Sequence, residues 1–306
     1  MLWGSVSMAS AVRLCAPPES MHQTPPATAA VCSDDVLTEA VLQIVRDRVG
    51  VDFSQYRPAT MQRRLRNRML AVGAATLHDY LQRLWHDAEE ADALAERLAI
   101  KVSSFYRNAA TFDLLRHVVV PALRARAVAT SAPLRVWCAG CGRGEEAYTL
   151  AMLLDEAGIE GQVEASDIDR GALDAARAAQ YPATSALALP GALAARYLVP
   201  VTSGRVASVR VVDRVRERVT FTRHDVTAAP PAHTFDLVSC RNVLIYLQRP
   251  LQARTMAHLR GALSPEGVLV LGEAEWPTPD IEASLEVMSR QARVFKAKPA
   301  SRGQGA

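Results

Sequence analysis

A chain of 306 residues is long enough for one large domain and a small one. Hydrophobic residues make up 49%, charged residues 22%, and the net charge is +3, a globular balance that gives no reason to invoke nucleic acid. Five cysteines without framework spacing argue for reduced thiols rather than a secreted disulfide fold, and no apolar run is long enough to span a bilayer. Met1–Ser10 lacks the basic and apolar regions of a signal peptide, so a cytoplasmic protein without membrane insertion is expected.

Residues 1–33 are rich in Ala, Pro, Ser and Thr without periodicity and read as a disordered tail, with Met21 as an alternative start; residues 299–306 read the same way. From Asp34 the apolar residues recur at helical steps: Val36, Ala40, Val41, Ile44 and Val45, then Leu77, Leu81 and Leu84, then Leu94 and Leu98. Gly50 and Gly73 mark helix ends. Three or four short helices therefore form a small all-α N-terminal domain over 34–103.

Beyond Leu134 the rhythm changes to strand–helix alternation. Strands are expected at Leu134–Gly140, Gln162–Asp167, Val219–Thr222, Phe235–Cys240 and Val268–Leu271. Helices are expected at Glu145–Ala157, Gly171–Gln180 and Leu251–Leu263, with a turn at Ser264–Gly267. The pattern is that of an α/β, doubly wound, mostly parallel sheet over 104–298. Residues 183–218 break the alternation and read as a small β insertion with strands near Arg205–Val212.

The strongest local signal is Ala139-Gly-Cys-Gly-Arg-Gly-Glu-Glu146, set between a strand and a helix. Glycines there let the backbone turn tightly and approach a ligand. A phosphate-binding loop would end in Gly-Lys-Ser/Thr, but this one places two carboxylates at the helix start. Carboxylates repel a pyrophosphate and suit a cation with an ammonium and a sulfonium, which favours S-adenosylmethionine over NAD or ATP. Asp167, ending the second strand, is placed for ribose hydroxyls, with Asp169 beside it as a helix cap. Asp225, after the strand at 219–222, is placed for an adenine amino group or is a surface turn residue. Cys138 and Cys141 form a C-x-x-C with no second pair and no His nearby, so no metal is expected; Cys240 leaves open a cluster of three thiols.

Taken together, these segments resemble the CheR-type chemotaxis receptor methyltransferases from about Leu37 to Lys296. The resemblance is carried by Val102-Ser-Ser-Phe-Tyr-Arg107, Trp137-Cys-Ala-Gly-Cys-Gly-Arg-Gly-Glu-Glu-Ala-Tyr148, Ala165-Ser-Asp-Ile-Asp169, Cys240-Arg-Asn-Val-Leu-Ile-Tyr246 and Leu271-Gly-Glu-Ala-Glu275. Gly50-Val-Asp-Phe-Ser54 and Arg63-Arg-Leu-Arg-Asn-Arg68 look like the family's helical domain. The resemblance implies a Rossmann-like class I methyltransferase domain. It also implies methyl transfer from S-adenosylmethionine, leaving S-adenosylhomocysteine, to glutamates on cytoplasmic helices of methyl-accepting receptors.

Carried over position by position, the resemblance implies a cofactor site of Lys101, Ser103, Arg107, Gly140, Gly142, Glu145, Asp167, Asp225, Val226, Arg241 and Asn242. Arg107 and Tyr246 would face the transferred methyl. Three positions depart from the family pattern: Lys101 for Asn, Tyr106 for Phe, and Glu273-Ala274 for His-Ser. Arg57, Arg63, Arg64 and Arg68, on one short helix, either dock an acidic receptor helix or form a solvated face. A monomer is expected. The alternatives are a methyltransferase of the same fold acting on another acceptor, or a degenerate S-adenosylmethionine-binding signalling module.

Overall fold

The computed structural model describes residues 33–98, 103–201 and 207–299. The tail at 1–33 thus lies, all but Ser33, outside the described residues; so do 300–306 of the second tail, Lys101, Cys15 and Cys32.

Four helices open the fold: α1 (Asp34–Val49), α2 (Pro58–Val72), α3 (Leu77–His86) and α4 (Ala88–Leu98). Each boundary has a local cause. Acidic Asp34 and Asp35 sit in the first turn of α1, where the helix dipole favours them. Pro58 occupies the first turn of α2, where its missing N–H costs nothing. Thr76 and Asp79 exchange hydrogen bonds as a capping box before α3. Gly50 and Gly73 end α1 and α2 in the left-handed region, at φ 76° and 71°, as expected. The helices are held from within by Glu90, which accepts from Arg68 Nε (2.8 Å) and Nη2 (2.6 Å) and from the Tyr80 hydroxyl (2.6 Å).

The second part begins with α5 (Ala109–Leu114), a wide π-turn at Leu115–Val119 and α6 (Val120–Thr130). Then follow β1 (Leu134–Ala139), α7 (Glu145–Glu156), β2 (Gly161–Asp167), α8 (Arg170–Ala178), β3 (Gln180–Pro182), α9 (Gly191–Tyr197), β4 (Leu198–Val201), β5 (Ser208–Val211), α10 (Asp213–Arg216) and β6 (Val219–Arg223). The chain closes with β7 (Phe235–Cys240), α11 (Arg249–Gly261), β8 (Leu263–Leu271), α12 (Pro279–Glu282), β9 (Leu285–Ser289) and β10 (Val294–Ala297). Seven strands form one sheet in the order β6-β2-β1-β7-β8-β10-β9, parallel except at β10. The strand order reverses beside β1, which opens a crevice at the carboxyl ends of β1, β2 and β7. The insertion forms a separate antiparallel sheet, β3-β5-β4. No helix among the described residues is long and apolar enough to cross a membrane.

Two details differ from the sequence expectation. The turn at Ser264–Gly267 lies inside β8 as a bulge: Leu263 pairs with Phe235 and Val268 with Leu237, and Glu266 takes up the excess chain at φ 61°. The hairpin β9–β10, which carries Glu286 and Lys296 among its apolar residues, was not anticipated; it closes the edge beyond β8.

The two faces of the sheet bury different partners. Val136, Cys138, Val163 and Leu237 pack with α7 and the insertion. Trp137, Ala139, Val238 and Leu269 point the other way, into one continuous core with Val41, Leu65, Leu84 and Leu94 of the all-α domain. The helical domain therefore shares its core with the sheet. Backbone bonds reinforce this: Tyr56 forms a β-bridge with Leu247, and the Arg57 N–H donates to the Tyr246 carbonyl at 2.8 Å.

Replacing Glu90 with Ala strands the Arg68 guanidinium and the Tyr80 hydroxyl, and chemical denaturation is expected to show a loss of about 3 kcal/mol. Burial pushes the Glu90 carboxyl up, but Arg68 and Tyr80 together hold it below the ordinary glutamate range. Its contribution is thus present above that range and lost as pH falls through the depressed folded-state value, so the deficit of the variant should shrink in acid.

Candidate active site

β1 delivers the chain to the glycine loop, and the N–H groups of Gly140 and Cys141 both donate to the Ser166 carbonyl, at 2.8 and 2.9 Å. Gly140 has φ 75°, and a Cβ there would lie 2.5 Å from Val243 Cγ2. The loops after β1 and β7 meet where only glycine fits. Asp167 ends β2 and accepts from the N–H groups of Gly142 (2.7 Å) and Asp169 (3.0 Å). Burial raises its pKa, against those two bonds. Asp169 caps α8 by accepting from the Ala172 N–H at 2.9 Å, the role read for it in the sequence.

Asp225 follows β6. One of its oxygens accepts from both the N–H and hydroxyl of Thr227, each at 2.8 Å, so the turn reading holds. Asp225 also lines the cleft, beside His224 and Val226. Burial lowers the pKa of His224, and its Nε2 is buried without a partner among the described residues. A neutral ring with an open nitrogen suits a nucleobase.

The opposite wall rests on a buried ion pair. The Arg241 side chain, 1% exposed, gives Nη1 to Glu146 Oε2 at 2.9 Å. Its Nη2 donates to the Arg107 carbonyl (2.8 Å) and to Asn108 Oδ1 (2.6 Å), and the guanidinium lies over the Phe112 ring. Glu146 also accepts from the Ser239 hydroxyl at 2.6 Å. Tyr106 and Asn108 have φ of 55° and 65°, so Arg107 sits in a strained loop that Arg241 holds from below. Glu145 behaves differently: it is 3% exposed, it lies beside Ser103, and its Oε2 has no partner among the described residues.

Asn242, at φ 60°, begins the loop to Tyr246. Glu275 organises this loop. Its buried carboxylate accepts from the N–H groups of Asn242 (3.0 Å), Val243 (2.9 Å), Leu244 (2.8 Å) and Ile245 (3.3 Å), and of Gly272 (2.6 Å). Burial nevertheless raises its pKa. Glu273, which stands where the family has His, is exposed.

Among the sequence-derived residues, Ser103, Arg107, Gly140, Gly142, Asp167, Asp225, Val226, Arg241, Asn242 and Tyr246 line one cleft; Glu145 lies behind Ser103, and Lys101 is outside the described residues. The sequence reading missed Tyr56, Leu98 and His224, which also line it. No spacing rule reaches Tyr56 and Leu98, because they come from the other domain. Arg57, the N-cap of α2, and Arg63 on it are exposed, and a groove runs along Arg63, Arg64, Asn67, Arg68 and Arg97. Arg68 also pairs with Glu90, whose side chain is buried in the domain. Cys138 and Cys240 are buried, Cys141 faces the cleft, and burial raises all three thiols. Among the described residues no cluster is arranged to hold a metal.

The orphaned oxygen of Glu145 gives a direct test. Burial raises its pKa, so the folded chain holds that proton to higher pH than the unfolded one, and stability falls as pH rises from the ordinary glutamate value through the folded one. Glu145→Gln lacks this slope. Its melting temperature is expected to exceed that of the native chain at pH 8, with the gap closing toward pH 4.

Comparison with known proteins agrees with this geometry. Residues 101–294 match the family model described as CheR methyltransferase, SAM binding domain, and residues 38–99 match CheR methyltransferase, all-alpha domain. The chain is 29% identical over 248 residues to chemotaxis protein methyltransferase 2 of Pseudomonas aeruginosa, covering 78% of this chain and 87% of that one. It is 32% identical over 239 residues to the probable biofilm formation methyltransferase WspC of Pseudomonas putida, covering 76% of this chain and 55% of that one. It is 34% identical over 263 residues to an uncharacterized 104.1 kDa protein of Rhodobacter capsulatus, covering 84% of this chain but spanning only 27% of that protein. With both family domains matched in order across a shared core, the chain belongs to the CheR family of S-adenosylmethionine-dependent methyltransferases.

Proposed function

We propose that the chain methylates glutamate side chains on cytoplasmic helices of methyl-accepting chemotaxis-type receptors, forming glutamyl methyl esters. The observation that carries this reading is the placement of Arg107 and Tyr246 in the same cleft as Gly140, Asp167 and Asp225. The arginine-bearing helix α2 starts at that cleft, where the Arg57 N–H donates to the Tyr246 carbonyl at 2.8 Å.

S-adenosylmethionine supplies an electrophilic methyl on a sulfonium. In this reading Asp167 takes the ribose hydroxyls, Asp225, His224 and Val226 the adenine, and Glu145 the methionine ammonium. The orphaned Glu145 oxygen and His224 nitrogen fit such a ligand. A glutamate nucleophile is ionised at neutral pH and needs no base. Its obstacle is hydration, which the site must replace with fixed donors. The Arg107 fork and the Tyr246 hydroxyl would hold the carboxylate and turn one of its oxygens toward the methyl that the sulfonium supplies. On the docking face, the groove lined by Arg63, Arg64, Arg68 and Arg97, with Arg57 exposed before α2, offers positive charge to an acidic helix, although Arg68 is already paired with Glu90.

The test is transfer from methyl-radiolabelled S-adenosylmethionine to receptor signalling fragments, by the native chain and by Arg107→Ala. Base-labile label on the receptor is expected, falling on the order of a hundredfold or more in the variant. Binding of S-adenosylhomocysteine without transfer to any receptor fragment would contradict the receptor reading and leave methylation of another acceptor or a binding role.

A further inference from the structure

Tyr56 belongs to the all-α domain, yet it lines the cleft with Asp167, Asp225 and Val226. Only 9% of the residue is exposed, and its ring is fixed edge-on against Phe53 at 5.1 Å between centroids. The backbone around it is fastened to the catalytic loop: beside the bridge to Leu247, the Gln248 N–H donates to the Gln55 carbonyl at 2.9 Å. The Gln248 side-chain amide also reaches the Tyr56 carbonyl at 3.2 Å. Near the far end of the crevice, Arg223 ties the two domains again by donating to the carbonyls of Val49 and Ile168. Tyr56 is therefore a rigid part of the cleft wall.

Its chemistry suits a ligand there. Burial first, and then the charges of Asp225 and Asp167, raise the phenol pKa, so the hydroxyl keeps its proton at neutral pH and acts as a donor. Asp167 and Asp225 line the same cleft, and a nucleoside held there offers acceptors to the hydroxyl on its ribose and base.

We propose that Tyr56 is a cofactor-binding residue: the N-terminal domain supplies an aromatic wall and a hydroxyl donor for the nucleoside half of S-adenosylmethionine. The inference rests on the cleft being the S-adenosylmethionine site. It makes the helical domain part of the cofactor site as well as a candidate docking surface. Because residues 55–57 also bridge to Tyr246–Gln248, the cofactor is clasped by the segment that supports the catalytic tyrosine.

Titration calorimetry with S-adenosylhomocysteine on the full chain, Tyr56→Phe and Tyr56→Ala tests this, together with thermal melting without ligand. Tyr56→Phe keeps the packing and is expected to melt with the native chain, yet to bind about three- to tenfold more weakly through loss of one hydrogen bond. Tyr56→Ala is expected to lose more than tenfold, since the aromatic wall goes too. Tyr56→Phe binding within twofold of the native chain overturns the hydroxyl's role, and with it the proposal, whether or not Tyr56→Ala folds. Failure of the native chain itself to bind would instead sink the assignment of the cleft.

Discussion

The Arg241 guanidinium, with 1% of its side chain exposed, is the contact on which the reactive wall of the cleft depends. Burying a charge costs several kcal/mol unless its partners replace the lost water. Here Glu146, the Arg107 carbonyl and Asn108 do so for the two terminal nitrogens, with the Phe112 ring beneath, while Nε is buried without a partner among the described residues. The planar fork of arginine spans these acceptors at once, which a lysine cannot do. One side chain thereby joins the end of β7, the start of α7 and the strained loop that carries Arg107.

Glu275 does the same on the other side with the opposite charge. Its carboxylate gathers the N–H groups of the loop from Asn242 to Ile245, and Gly272 approaches so closely that a Cβ would meet the Asn242 nitrogen at 2.7 Å. Two buried charges thus place two loops, one with Arg107 and one with Tyr246. The proposed methyl transfer to a carboxylate asks little proton chemistry of a protein and a great deal of alignment. A site built from immobilised loops rather than a titrating acid–base pair fits that demand.

Much of this was legible in the sequence because it is local. The apolar runs Val136–Ala139 and Leu237–Val238, the glycine loop, and the acidic strand end at Asp167 all have short-range signals, and the elements appear where those signals lie. What escaped depends on distance or on side-chain direction. Tyr56 reaches the cleft only because Trp137 and Val238 share a core with Leu65 and Leu94. The pairing of Arg68 with Glu90 escaped because it depends on side-chain direction: Arg68 stands seven residues after buried Met61, which turns it toward Glu90 at the border of the arginine groove. Glu275 stood in a recognised motif, but only the folded loop shows its row of donors. The β9–β10 hairpin hid because charged residues interrupt its apolar pattern.

The helical domain and the sheet domain accordingly act as one body at the site, with the cleft lined from both. The central claim is that Arg241 acts by fixing the Arg107 loop. The most direct test is single-turnover methyl transfer and S-adenosylhomocysteine affinity in Arg241→Lys, which keeps the charge and removes the fork. With the fork removed, the transfer rate is expected to fall at least about a hundredfold, because a small misplacement of an aligning group is enough to do this. A variant that folds and transfers methyl groups at close to the native rate would contradict it.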